Sequence, residues 1–128
     1  MVAYSFKARF ADPILSNQKL QTIRAQGKRR HAGAGDRLQL YTGMRTKQCR
    51  LIATRTCTSV HQILLLIMPN AEIEARIDGK MLGELQLAAL ARADGFGSVE
   101  DMWLFWRENH KGVNRFDGLL IKWEPGNG

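Results

Sequence analysis

The chain has 128 residues, 45% of them hydrophobic and 24% charged. That length and composition support one domain with its own core and exclude a disordered segment. A net charge of +7 and a pI near 9.9 point to anionic partners, nucleic acid ahead of an anionic membrane surface. No basic amphipathic helix favours the membrane.

In chain order, Val2 to Lys7 reads as a first strand and Phe10 to Asn17 as a short helix, with Pro13 in its first turn. Leu20 to Arg24 reads as a second strand. Residues 25–35, rich in Gly and cations, form a loop. From Asp36 to Thr42, Leu38 and Leu40 alternate with Arg37, Gln39 and Tyr41, so one face is buried. Thr42-Gly43 starts a turn. Lys47 to Thr58 and Ser59 to Met68 are expected as two strands. Asp78-Gly79, between Ile73–Ile77 and Lys80–Leu82, is a hairpin signal. Leu82 to Ala93 is expected to be helical and to end at Asp94-Gly95. A second helix starts at Ser98, with Val99, Met102, Trp103 and Trp106 as its buried stripe. Phe116 to Trp123 is the last strand, and 125–128 a frayed tail. The fold class is therefore mostly β with flanking helices, a small antiparallel barrel over residues 1–124.

The charge is segregated. Between Arg24 and Arg55 stand nine cations and one acid, Asp36, which suggests a basic face. Lys28, Arg29 and Arg30 lie in its loop. Tyr41, Arg45 and Lys47 follow as a base-stacking aromatic beside phosphate-neutralising cations. A plain solvated surface is the alternative. Cys49 and Cys57 would be about 26 Å apart on one extended strand, so both are expected as buried free thiols. No metal-ligand spacing occurs, and no metal or other cofactor is expected. The first ten residues lack the apolar run of a signal peptide, and no stretch is long enough to span a bilayer. The expected setting is the cytoplasm.

Lys19, Thr22 and Arg24 fall within six residues, and on a strand Thr22 and Arg24 share a face. A hydroxyl between a lysine and an arginine suits an anionic or carbonyl-bearing ligand. Thr22 needs a base, and Lys19 can be that base only when neutral, which burial or nearby cations would favour.

Three blocks resemble a known family: F-x-D-x-I-L-x-x-x-K-x-x-T-I-R over Phe10 to Arg24, G-D-x-L-x-L-Y-T-G over Gly35 to Gly43, and A-D-G-F-x-S-x-E-D-M-x-x-F-W over Ala93 to Trp106. Together with the closing strand they resemble the ASCH domain family, whose fold is a PUA-like β-barrel. The resemblance implies an RNA- or nucleotide-related role. Some members deacylate a modified cytidine; others are linked to RNA binding or cleavage. By the family motif, Lys19 and Thr22 correspond to the catalytic lysine and threonine of the amidohydrolases, and Asp94 to their glutamate, one methylene longer. The glycine before the motif is Asn17 here. Three functions stay open at this point. The basic charge favours an RNA-binding domain with metal-independent ribonuclease activity, Lys19, Lys47 or Tyr41 moving protons and Arg24 holding the charged phosphorane. The Lys19, Thr22 and Asp94 match favours an amidohydrolase acting on N4-acetylated cytidine. A non-catalytic RNA-binding module is the third.

Overall fold

The computed structural model describes residues 1–127. Its elements are β1 (Val2–Phe6), a 3-10 turn (Ala8–Phe10), α1 (Ala11–Leu15), β2 (Gln21–Ala25), β3 (Arg37–Thr42), β4 (Arg50–Ile67), β5 (Ile73–Ile77), β6 (Lys80–Met81), α2 (Glu84–Ala93), α3 (Val99–Asn109) and β7 (Arg115–Trp123). Strands dominate, as the alternation and turn signals required.

The long strand β4 organises the sheet. It has no Gly or Pro from Arg50 to Ile67, so no residue there ends the strand. The two strands expected over Lys47–Thr58 and Ser59–Met68 are therefore one. What remains of the expected break is a β-bulge between Cys57 and Ser59. The N-terminal part of β4 pairs with β3, its C-terminal part with β7 and β5, all antiparallel. β1 pairs with β3 in parallel; an all-antiparallel ladder would be wrong here, because α1 and β2 intervene as a crossover. Among the described residues, β2 pairs only with β7. The sheet curls like a barrel but is not closed, since β1 and β2 share no ladder.

Residues 43–49 form a turn with Gly43 and Arg45 at positive φ. Lys47 and Cys49 thus precede β4. This corrects the reading of both thiols as buried: Cys57 is buried, Cys49 exposed.

Tyr4, Ile14, Leu38, Leu40, Leu65, Phe96, Met102, Leu120 and Ile121 are fully buried. Leu90 and Ala91 of α2 and Met102 and Trp106 of α3 join this core. Ser98 caps α3 by accepting the Asp101 N–H at 3.0 Å. Beyond β7, Gly126 exchanges two hydrogen bonds with the Asn17 side chain, and Gly128 of the expected tail lies outside the described residues. Among the described residues, no helix is long and apolar enough to cross a membrane.

Candidate functional site

A pocket of about 350 Å³ opens where β1, β2, the α2–α3 connection and α3 meet. Lys19, Thr22, Arg24 and Asp94 all line it. Its walls carry Phe6, Phe10, Phe96, Phe105, Trp106 and Phe116.

Local structure positions each polar group. Asn17 ends the α1 turn in the left-handed region, at φ 64, a conformation asparagine tolerates. The chain then reverses. Lys19 N donates to Pro13 O at 2.9 Å and Leu20 N to Ala93 O at 2.8 Å, which ties Lys19 to the ends of both helices. α2 ends in a Schellman motif: Phe96 N donates to Ala91 O and Gly95 N to Arg92 O. Gly95 takes φ +98, and a Cβ there would sit 3.0 Å from Lys19 Cδ and 3.0 Å from Phe10 Cδ1. This turn aims Asp94 at Lys19.

The lysine is 3% exposed and Asp94 5%. Lys19 Nζ donates to the Asp94 backbone carbonyl at 2.6 Å and lies 3.4 Å from its carboxylate Oδ1. The short aspartate therefore offers its carbonyl as the near contact and its carboxylate as the far one. Burial pushes the Lys19 ammonium below its ordinary range, and Arg24 and Arg9 push the same way against the attraction of Asp94. Burial likewise pushes the Asp94 carboxyl up. Both shifts favour the uncharged forms.

Thr22, 4% exposed, accepts the Arg24 Nε–H at 3.0 Å, which leaves its hydroxyl proton free to be donated. Arg24 also donates to Ser5 O at 2.7 Å and so spans the gap between β2 and β1. Its guanidinium partners are neutral oxygens. An anion forming in the pocket would be, among the described residues, the first charged group to accept its hydrogen bonds.

The cations alternate with rings. Arg29 lies 4.9 Å from the Tyr4 ring, Arg24 5.2 Å from Tyr4 and 4.8 Å from Phe6. Lys19 lies 5.4 Å from Phe6 and 4.7 Å from Phe10, and Arg9 5.2 Å from Phe10. This row joins the basic loop to the pocket floor.

Of the residues read as a nucleic-acid surface, none lines the pocket. Lys28, Arg29, Arg30, Arg45 and Lys47 are exposed and Tyr41 is half-buried. Arg30 pairs with Asp36 at 3.2 Å. Lys47 and Tyr41, expected as proton carriers beside Arg24, are not among the residues that line its pocket. Sequence reasoning missed the aromatic walls. Phe10, Phe96, Phe105 and Trp106 all stood inside the quoted motif blocks, and Trp106, read as core stripe, is in fact shared between core and pocket. Among the described residues, no three His, Cys, Asp or Glu side chains cluster as a metal would require.

Comparison with protein-family models gives no match, and comparison with curated proteins gives none either. Solved structures do match. The chain is similar to an ASCH protein from Zymomonas mobilis, with a TM-score of 0.55 and 13% identity over 95% of this chain and 65% of that one. A tyrosine-to-phenylalanine variant of that protein matches at a TM-score of 0.51 and 12% identity, and a serine-to-alanine variant at 0.51 and 13%. Each covers 95% of this chain, against 67% and 66% of the variants. The chain thus spans about two thirds of the length of the structures it matches, and it has an ASCH-like fold.

Proposed function

We propose that the pocket is a hydrolase site that cleaves an amide bond on an acylated nucleobase, N4-acetylcytidine being the representative ligand. One observation carries this reading: Lys19 is buried in the same pocket as Thr22, among further cations, the setting in which a lysine amine works as a base at neutral pH. The aromatic walls suit a planar base, and the pocket volume suits a nucleoside-sized ligand.

Lys19 Nζ takes the Thr22 hydroxyl proton as Oγ1 bonds to the acyl carbon. Arg24 holds the developing oxyanion. The C–N bond then breaks, and the Lys19 ammonium returns its proton to the departing amine. Water attacks the acyl-threonine ester as Lys19 again takes a proton; the ester C–O bond breaks, Lys19 returns the proton to Thr22 Oγ1, and the carboxylic acid leaves. Asp94 positions Lys19 throughout.

The second reading is RNA binding with metal-independent cleavage. The +7 charge and the row of cations leading from the loop inward favour it. Lys19 would then take a 2′-hydroxyl proton and Arg24 hold the phosphorane, while Lys47 and Tyr41 would act only in binding. Geometry ranks it second, because a buried threonine serves an acyl group and has no task in attack by a 2′-hydroxyl. Incubation with acetylated cytidine and, separately, with mixed RNA, each with and without chelator and followed by chromatography, tests both. Acetate release that Thr22→Ala abolishes supports the first reading. RNA loss without acetate release supports the second.

A further inference from the structure

We propose that Ser59, His61 and Asp78 form a second nucleophilic site, a serine activated to accept acyl groups from small esters. The three lie outside the pocket described above. Ser59 and His61 are two positions apart on β4 and share a face. Asp78 comes from the turn between β5 and β6.

Asp78 is fixed from two sides. Its backbone N donates to Gln62 O at 2.9 Å, and its Oδ1 accepts the Gln62 N–H at 3.0 Å. Its other oxygen, Oδ2, lies 2.7 Å from His61 Nδ1. These two hydrogen bonds also hold the carboxyl below its ordinary range. An ionised carboxylate only accepts, so Nδ1 must carry the imidazole proton. In the neutral ring Nε2 is then a lone pair. It stands 3.1 Å from Ser59 Oγ, so the serine O–H donates to it. Nucleophile, base and orienting carboxylate thus occupy the relation that activates serine in hydrolases of unrelated folds.

Two further features fit a site. The bulge between Cys57 and Ser59 re-aims the strand at the nucleophile. Lys122 on β7 is the register partner of Ser59, so its side chain shares the serine's face, and among the described residues it has no ion pair. Its ammonium is the group to meet an oxyanion. The site is reachable, with the His61 side chain 31% and that of Asp78 54% exposed. Ser59 Oγ bonds to the ester carbon while its proton passes to His61 Nε2. The ester C–O bond breaks, and that proton leaves with the alcohol. Water then releases the acid from the acyl-serine.

A purely structural role would need only the His61–Asp78 bond, pinning the hairpin to β4. A fluorophosphonate probe separates the two, read by intact mass and peptide mapping, with circular dichroism as the folding control. Expected is one label per chain, on Ser59, forming at least about tenfold more slowly in His61→Gln. In Asp78→Asn, the nitrogen NMR signature of His61 should move away from the Nδ1–H tautomer as labelling slows. No label on the folded wild type, label on Thr22 instead, or a wild-type rate in folded His61→Gln would overturn the proposal. Mapping of the wild type decides alone if the variants do not fold.

Discussion

Replacing Asp94 by alanine probes the buried pair at the pocket floor. Removing one partner of a buried ion pair costs about 3–5 kcal/mol, because a charge is left without compensation. Here the lower end applies, because Lys19 can shed its proton once the carboxylate is gone. Lys19 Nζ keeps its 2.6 Å bond to the backbone carbonyl of residue 94, which alanine retains, and the carboxylate oxygen was only a 3.4 Å neighbour. At about 4 °C per kcal/mol for a chain of this size, a loss of about 3 kcal/mol lowers Tm by about 12 °C at pH 7.

The sign of the pH dependence follows from linkage. Burial already sets the folded Lys19 pKa below its unfolded value, and loss of Asp94 lowers it further. Between those two values the unfolded chain binds more protons, so stability rises with pH. The deficit should shrink as pH rises through the unfolded lysine value of about 10.4, above which lysine is neutral in both states. Asp94 contributes the opposite slope in wild type. Its folded pKa is raised, so that stability is present at acid pH and is lost as pH rises through the folded value. The variant lacks this limb. Thermal melts followed by circular dichroism from acid to alkaline pH would measure both. A Tm loss under about 2 °C at pH 7, or a deficit that stays constant with pH, would refute the uncompensated buried lysine.

Gly95→Ala should lower the urea midpoint by the equivalent of about 2 kcal/mol, since φ is +98 and the new Cβ meets Lys19 and Phe10 at 3.0 Å; acetate release should fall with it. Lys19→Arg keeps the charge but cannot lose its proton, so acetate release should vanish at every pH tested in a chain whose melt is still cooperative. Joint replacement of Lys28, Arg29 and Arg30 by alanine should reduce the slope of log RNA affinity against log salt by about 0.7–0.9 per lost contact, read by fluorescence anisotropy. An unchanged slope would remove that loop from the binding surface. Asn17→Gly should cost about 1 kcal/mol for its two bonds to Gly126, whereas Asn17→Ala adds the left-handed strain, so the two melts should differ in that order.

Much of this fold was legible because its signals are local. The alternation around Leu38 and Leu40 set the buried face of β3, and Asp78-Gly79 set the hairpin. The Asp94-Gly95 stop set the end of α2. What escaped was long-range. Nothing near Thr58 or Ser59 says that β4 runs through, since a bulge needs no Gly or Pro. The parallel pairing of β1 with β3 depends on where the crossover packs. In the site, the shared face of Thr22 and Arg24 followed from strand period. The burial of Lys19 did not, because a lone lysine between Gln18 and Leu20 looks like any surface lysine until the two helix ends close over it. Ser59 and His61 gave the same two-residue spacing as many exposed strand pairs, and only the turn at Asp78 brings them a carboxylate.

The most direct measurement is quantitative chromatography of N4-acetylcytidine incubated with wild type and with Thr22→Ala. Cytidine and acetate should appear in equal amounts with the wild type, and neither should form with the variant while its melt stays that of a folded chain. Unchanged acetylcytidine in the wild-type reaction, from a preparation that degrades RNA in the presence of chelator, would contradict the assignment of the pocket to amide hydrolysis.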